Sequence, residues 1–315
     1  MLGPILLLSL QLLPTALSLP LLSLPRYSNS TGRGDNTAAT TPVSLATLNS
    51  TLLRAAQLTR VAFCSSESII AWTCGVPCDS VMDITVLQSG GNDGTVPLYY
   101  IAHDPDEKSL VVAHEGSNFA KITSILNDVE LGLVPLNASR FPQSAGQNIK
   151  VHSGFQQTFE RTADKLLAGV MAGLASTGVK KVLVTGHSLG AAVATMTGAM
   201  IKDAVDPSVA VSLIVFGLPR GGNQAWADFL DSGVGVTYMT NQNDPVPTVP
   251  PELLGFHHPT GEIHSVDATQ SNFIACPGQD NENCSTGNSL LAVNETNHDG
   301  PYFDNITFRR GQCVQ

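Results

Sequence analysis

An α/β fold, with a mostly parallel sheet and helices on both faces, is predicted by the order of patterns along this chain. Strand-like and helix-like segments alternate through its middle, as in a parallel sheet that is covered by helices. No internal repeat with a period of about 20 to 50 residues is visible. The 315 residues, 43% of them hydrophobic and 13% charged, suffice for one large core or two small domains and exclude a disordered chain.

Each element is predicted from the spacing of its apolar residues. Residues 45–64 have helical spacing, and strands at 83–87 and 98–103 flank a glycine-rich turn and should pair as a hairpin. Residues 110–113 are short and fully apolar, as expected for a central strand. The elements that follow are a helix at 155–174, a strand at 181–185, a helix at 191–205, a strand at 209–216, a helix at 224–230 and a strand at 234–240.

The charge balance argues against a nucleic-acid partner. Lys and Arg number 16 against 26 Asp and Glu, which gives a net charge of -10. The longest basic runs are the pairs at 180–181 and 309–310. A protein that binds nucleic acid usually carries a basic patch or stripe, so we expect no such partner.

The N-terminal segment is typical of a secretory signal peptide. The first 25 residues have no charged side chain and are rich in leucine, and small residues follow the apolar stretch. A membrane anchor is the alternative, but prolines interrupt the run of about 20 apolar residues that spanning requires. We expect a signal peptide over 1–18, a flexible or processed leader over 19–44, and one folded domain over 45–315 of a secreted, extracellular protein without a transmembrane anchor.

Asn-x-Ser/Thr sequons support secretion as a group, although any one of them arises readily by chance. The candidate glycosylation sites are Asn29, Asn49, Asn137, Asn283, Asn294 and Asn305.

The six cysteines predict three disulfides in an oxidising compartment, with fifteen possible connectivities. Buried thiols and a zinc site are the alternatives, since Cys74 and Cys78 have ligand-like spacing. No His-x-x-x-His or second close thiol pair stands near them, however, and we expect no metal site. The pairings that we favour are Cys74–Cys78, Cys276–Cys284 and Cys64–Cys313, the last joining the two ends of the domain.

A Gly-x-Ser-x-Gly motif at 186–190 lies between an apolar strand and an alanine-rich helix. In that context the turn is sharp, and it exposes the Ser188 hydroxyl as a candidate nucleophile. The backbone N–H of Leu189 then lies at a helix N-terminus, where it can stabilise an oxyanion. The alternative is an ordinary glycine-containing turn whose serine has no catalytic role.

A serine nucleophile needs a base and an orienting acid, which follow it in the order Asp, His in this architecture. Asp244 follows a predicted strand in a turn that two prolines stiffen, although an ordinary turn before proline would look the same. His257, His258, His264 and His298 follow the acid. His264 lies in a strand-like stretch, whereas His298 lies in a segment with Gly and Pro that reads as a loop, from which a base could reach the serine. We therefore favour His298.

Together these motifs resemble the secreted fungal class 3 lipases, a family with the α/β-hydrolase fold. The resemblance extends over about residues 45–313. The matching segments are the nucleophile turn at 186–190, the acid turn at 243–247, His298 with the aromatic pair at 302–303, the oxyanion loop at 113–118 and the stretch at 151–155.

The resemblance implies two further features of the site. Ser117, after the loop glycine, is implied as the second oxyanion donor. Many members carry Phe-Arg where this chain has His114-Glu115, and the His-Glu form is more similar to the branch that acts on mono- and diacylglycerols.

A short lid helix is also implied, between the oxyanion loop and residue 130. The candidate lid residues have helical spacing and are Phe119, Ile122, Ile125 and Leu126. An apolar face that is exposed on opening would adhere to a lipid–water interface. An ordinary surface helix with its apolar face packed inward is the alternative.

The sequence thus predicts an ester hydrolase that needs no cofactor and acts on a lipid or other ester substrate. Acylglycerols are the favoured substrates, mono- and diacylglycerols before triacylglycerols. A feruloyl-type esterase on the same fold and a catalytically inactive secreted binding protein are the alternatives. The presence of all three catalytic residue types argues against an inactive protein.

Overall fold

The computed structural model describes residues 36–92, 96–117, 122, 132–289 and 291–314. Its helices are α1 (Leu45–Thr51), α2 (Leu53–Val61), α3 (Ser66–Ala71), α4 (Val76–Asp79), α5 (Ser153–Glu160), α6 (Ala163–Thr177), α7 (Leu189–Ala204), α8 (Gln224–Ser232) and α9 (Thr296–Asp299). Its strands are β1 (Thr41–Val43), β2 (Thr85–Gly90), β3 (Tyr99–Asp104), β4 (Ser109–His114), β5 (Leu133–Pro135), β6 (Lys150–His152), β7 (Lys181–His187), β8 (Ala210–Phe216), β9 (Thr237–Asn241), β10 (Glu262–Ser265) and β11 (Phe273–Cys276). Single 3₁₀ turns lie at Pro142–Ser144, Val246–Thr248, Glu252–Leu254, Ser285–Gly287 and Arg310–Gln312.

Nine of these strands form one sheet in the order β1-β11-β10-β9-β8-β7-β4-β3-β2, and β5 pairs with β6 separately. Strands β4, β7, β8, β9 and β10 run parallel, which confirms the predicted parallel centre. The flanking strands pair antiparallel, including the predicted β2–β3 hairpin. The carboxyl ends of β7, β8 and β9 therefore lie at one edge of the sheet, where ligand sites of such folds form.

Both faces of the sheet are covered, as predicted, because successive strand residues point to opposite sides. In β4, Leu110 and Val112 pack into one core with α5, α6 and α7, whereas Val111 and Ala113 pack into another with α2 and α4. A third cluster joins α1 and α2 to the aromatic residues of the C-terminal segment. Within the described residues, none of the helices is both long and apolar enough to cross a bilayer.

Two predicted helices are each divided in the structure. The helix predicted at 155–174 is the pair α5 and α6, and the helix predicted at 45–64 is mainly α1 and α2. Thr162 has φ -124°, outside the helical range, and its N–H donates to the carbonyl of Phe159, three residues back, 3.1 Å away. The regular helical bonding to the residue four back is therefore interrupted there. Apolar spacing continues across the break, so periodicity alone does not show it.

The predicted leader differs from the structure at its end. Strand β1 lies within 19–44 and yet pairs with β11 at the sheet edge. Upstream of it, the Asn36 amide donates to the carbonyls of Pro277 and Gln279 at 2.8 and 2.7 Å. The predicted signal peptide, the first part of the leader and Asn29 lie outside the described residues.

The lid prediction falls mostly outside the structure. Phe119, Ile125 and Leu126 lie outside the described residues. Ile122 is described, and its side chain is fully buried against the core. A closed lid and an ordinary inward-packed helix both require this burial.

The structure contains the three favoured disulfides, Cys64–Cys313, Cys74–Cys78 and Cys276–Cys284. Among the sequons that the structure describes, Asn49, Asn283, Asn294 and Asn305 are exposed and Asn137 is half-buried. The side-chain amide of Asn137 donates to Glu160, and that of Asn283 to the carbonyls of Thr37 and Ala38.

Candidate active site

Ser188 occupies the turn between β7 and α7 in a strained conformation, with φ 59° and ψ -125°. Its N–H donates to the carbonyl of Phe216 on β8, 3.0 Å away, which fixes the turn against the sheet. A Cβ at Gly186 would lie 2.4 Å from the Gly190 carbonyl, and one at Gly190 would lie 2.5 Å from the Glu115 carbonyl. Both glycines are therefore required by close backbone approaches, and the strain at a polar side chain is typical of functional turns.

The Ser188 hydroxyl is buried, and not exposed as predicted, and it forms no hydrogen bond with a described residue. The residue directly precedes the 16-residue helix α7, so the N–H of Leu189 belongs to the first helical turn. N–H groups there have no carbonyl partner within the helix and carry the positive end of its dipole. An anion that forms beside Ser188 would lie in a favourable field.

Asp244 and His298 form a buried pair, with 2.8 Å between the Asp244 Oδ2 and the His298 Nδ1. An ionised carboxylate can only accept, so Nδ1 carries a proton, and in the neutral imidazole Nε2 is then the acceptor. The other oxygen of Asp244 accepts from the N–H of Val246 at 2.9 Å, which orients the carboxylate. Neutral imidazole with an accepting Nε2 is the form that a general base requires.

His298 does not lie in the predicted loop. It lies on α9, a single helical turn, because Asn294 and Glu295 accept main-chain bonds from Asn297 and His298 and wind this short segment. Gly300, with φ 106°, follows the turn and redirects the chain. As predicted, His298 is nevertheless not part of a strand.

Two buried donors hold the main chain at the base. The carbonyl of His298 accepts from the His187 Nε2 at 2.8 Å and from the Tyr302 hydroxyl at 3.1 Å. The His187 ring also lies against the His298 ring, with 4.5 Å between their centroids. Burial, and then the neighbouring His298, hold the pKa of His187 well below its ordinary value, so this ring is neutral.

His187 was not predicted to contact the base, because it precedes the acid in the chain whereas the base is expected to follow it. A histidine next to the nucleophile and an aromatic residue four positions after the base were the available signals. Neither signal identifies a contact between segments 111 residues apart.

The other candidate bases have different partners. His258 contacts the carbonyl of Pro247 through Nε2, and His257 contacts Asp280 through Nδ1. His264 lies in β10, as predicted, and its Nδ1 is 2.8 Å from the Thr240 hydroxyl. Of the four candidates, the structure places His298 on Asp244.

The predicted oxyanion loop lies against the nucleophile turn. A Cβ at Gly116 would come within 2.6 Å of the His187 carbonyl, so the chain passes in direct contact with the residue before Ser188. Ser117 follows Gly116 and is half-buried. The structure thus brings both predicted donor segments, at 116–117 and 188–189, to the same place.

Two groups of described side chains have ligand atoms close enough to hold a cation. One is Glu262 with Cys276 and Cys284, whose sulfurs are joined in a disulfide, and the other is Glu252 with His257 and Asp280. Arg220 lies within this second group, and its Nε donates to Asp280 at 2.9 Å. Burial alone would raise the pKa of Asp280, but the bond from His257 and the charges of His258 and Arg220 lower it to about 2. The guanidinium already supplies the positive charge, so the group is an ion-pair network.

The comparisons with known proteins agree with this geometry. The family described as lipase (class 3) matches residues 111–254, which include Ser188 and Asp244. A secreted mono- and diacylglycerol lipase of Malassezia globosa is 33% identical over 238 residues, 73% of this chain and 76% of its own. One from Malassezia restricta is 32% identical over 226 residues, 71% of this chain and 70% of its own.

Solved structures share the fold. Lipase II from Rhizopus niveus superposes with a TM-score of 0.74 at 23% identity, covering 86% of this chain and 99% of the other. A non-glycosylated Yarrowia lipolytica lipase superposes with a TM-score of 0.76 at 21% identity, covering 88% and 99%. The fold is thus that of the α/β-hydrolases. Given the extent and identity of the Malassezia matches, this chain belongs to the class 3 lipase family.

Proposed function

We propose that this protein is a secreted serine esterase that hydrolyses acylglycerols, mono- and diacylglycerols in preference to triacylglycerols, at a lipid–water interface. The observation that carries the proposal is the buried Asp244–His298 pair at the same sheet edge as the strained Ser188 turn. The substrate class is supported by the activity for which the Malassezia relatives are named.

The proposed reaction is acyl transfer through a covalent intermediate. Ser188 Oγ attacks the ester carbonyl carbon while His298 Nε2 takes the hydroxyl proton, and Asp244 stabilises the imidazolium that forms. The N–H groups of Ser117 and Leu189 hold the oxyanion. Removing one such donor typically lowers the rate about 100- to 1000-fold.

Release of the alcohol completes acylation, and hydrolysis of the acyl-enzyme then returns the enzyme to its starting state. The His298 imidazolium gives its proton to the leaving alcohol, and the acyl-serine ester remains. Water then attacks that ester while His298 takes its proton, and the fatty acid leaves as Ser188 regains its hydrogen. Each step uses side chains of this chain.

Secretion is supported by independent features. Three disulfides join cysteines of this chain, and disulfides persist mainly in oxidising compartments. The relatives are themselves named as secreted proteins.

An activity panel with mono-, di- and triacylglycerols beside a feruloyl ester tests the proposal. We expect the partial acylglycerols to be hydrolysed fastest. Ser188→Ala should keep the fold but lose essentially all hydrolysis and all labelling by a fluorophosphonate, since the attacking oxygen is gone.

Each other result of the panel has a distinct meaning. Fastest turnover of the feruloyl ester would assign the alternative esterase function. Labelling that persists in Ser188→Ala would show that another residue is the nucleophile. No hydrolysis and no labelling in the wild type would favour an inactive binding protein.

A further inference from the structure

Glu115 lies where the antiparallel β3–β4 ladder ends, and its buried side chain continues that ladder. Tyr99 and His114 are the last paired residues, so Leu98 and Glu115 come next. In a regular ladder such a pair exchanges two main-chain hydrogen bonds. One is present, from the Glu115 N–H to the Leu98 carbonyl at 2.8 Å. The Leu98 N–H instead donates to the Glu115 Oε2, also at 2.8 Å. The carboxylate thus replaces the carbonyl of its own residue.

This replacement lets the main chain leave the sheet at Glu115. The Glu115 carbonyl lies against the start of α7, where a Cβ at Gly190 would be 2.5 Å from it. The following residue, Gly116, contacts the His187 carbonyl. The chain therefore turns from its strand partner toward the nucleophile, immediately before Ser117.

The buried carboxylate receives its counter-charge from the C-terminal segment. Arg310 Nε donates to the Glu115 Oε1 at 3.0 Å, and the Arg310 Nη2 contacts the same oxygen. Arg310 begins the 3₁₀ turn that precedes Cys313, which is bonded to Cys64. A buried carboxylate is costly unless it is paired and hydrogen-bonded, so Arg310 and the Leu98 N–H together keep Glu115 in place.

We propose that Glu115 is a positioning residue, whose carboxylate holds the segment 116–117 against the nucleophile turn so that the Ser117 N–H points at the oxyanion. The inference rests on the proposed function, in which Ser117 is an oxyanion donor. Glu115 acts through the main chain and has no substrate contact in this role. Its loss should therefore weaken binding of the transition state and leave binding of the ground state nearly unchanged.

Kinetics on a water-dissolved short-chain ester test this role, because such a substrate removes the lipid surface from the measurement. Glu115→Ala should lower kcat about 10- to 100-fold, less than direct loss of a donor, with KM within about twofold. The affinity for a boronic acid, whose tetrahedral adduct places an anionic oxygen at the oxyanion position, should fall by a similar factor. Glu115→Gln keeps an acceptor for Leu98 but loses its charge, and should lower kcat about three- to tenfold.

Arg54→Gln is the matched control. Arg54 pairs with the buried Asp104 at the other end of the same hairpin, 2.7 Å away. Its loss should lower the melting temperature and leave kcat and boronic acid affinity unchanged. Arg310→Lys, which keeps the counter-charge, should stay within about threefold of the wild-type kcat.

Wild-type kcat and boronic acid affinity in both Glu115 variants would overturn the inference, as would a loss of kcat in Arg54→Gln as large as in Glu115→Ala. Should Glu115→Ala fail to fold, Glu115→Gln decides alone. Ser188→Ala separates this inference from the proposed function. If the wild type is active and Ser188→Ala is inactive, the proposed function is supported whatever the Glu115 variants show. If the wild type is inactive, both the proposed function and the inference about Glu115 are wrong.

Discussion

Gly217, directly after β8, packs against the side-chain rings of Tyr302, His298 and His187. It has φ +56°, a conformation that glycine adopts at little cost. A Cβ there would lie 2.7 Å from the Tyr302 hydroxyl, 3.0 Å from the His298 Cε1 and 3.1 Å from the His187 Nε2. The position thus sets how closely the base and its two anchors approach the nucleophile turn.

Gly217→Ala should therefore lower kcat at least about tenfold, because a displaced imidazole loses its alignment with the serine. Gly178→Ala is the matched control, since Gly178 has φ +70° and no atom within 4 Å of its Cβ position. Both variants should lose about 1 kcal/mol of stability from backbone strain, but only Gly217→Ala should lose activity. Esterase kinetics with thermal unfolding measure both effects, and equal kcat values would contradict the contact.

At the scale of single residues, the sequence predicts the candidate site residues whose motifs are continuous in the chain. Ser188 was predicted because its glycines, strand and helix are adjacent in the chain. Gly217 and the anchoring role of His187 were not predicted, because they arise where segments distant in sequence meet. Residue spacing along the chain does not predict contacts between such distant segments.

At the scale of the secondary-structure elements, the turn that carries Asp244 is held by the buried side chain of Arg220, which lies between β8 and α8. Arg220 donates to the carbonyls of Thr248 and Pro250 and pairs with Asp280, and both side chains of the pair are at most 8% exposed. His258 reaches the same turn through the carbonyl of Pro247. The acid turn is therefore attached to two neighbouring segments besides the strand before it.

Arg220→Met should lower the free energy of unfolding by about 3 to 5 kcal/mol, because it leaves the Asp280 carboxylate buried without its partner. Adding Asp280→Asn should recover part of the loss, since the double variant buries no unpaired charge. Urea unfolding of the single and double variants measures the difference. A double variant less stable than Arg220→Met would contradict this account.

The strands and helices were predicted where the hydrophobic pattern of the sequence agrees with the burial of the element in the fold. Strands β4 and β7 are largely buried on both faces, as is the second half of β8, and these segments show as apolar runs. The break between α5 and α6 was not predicted, because the apolar spacing continues across the non-helical backbone of Thr162. Strand β1 was not predicted either, because a three-residue edge strand that contains a proline resembles a loop.

At the scale of the whole molecule, buried histidines link stability to pH. Burial lowers the pKa of His114 to about 3 and those of His152 and His264 to about 4, from an ordinary value of 6.5. Below pH 6.5 the unfolded chain therefore binds protons that the native chain does not bind. The stability contributed by these neutral rings is present above that pH and is lost as the pH falls toward about 4.

The free energy of unfolding should consequently fall on acidification by about 1.4 kcal/mol per pH unit for each of these histidines. Urea unfolding at pH 7, 6 and 5 measures the fall. His264→Gln should reduce it by about one such increment, because one of the contributing groups is removed. An unfolding free energy that is constant over this range would contradict the burial of neutral histidines.

Strand β1 also limits how far the N-terminus can be shortened without exposing the sheet. It covers one side of β11, whose N–H and C=O groups would otherwise line an open sheet edge. Such edges pair readily with strands of other molecules and lead to self-association. We expect removal of the residues upstream of Asn36 to leave this edge covered, whereas removal of the chain through Val43 should expose it and promote self-association.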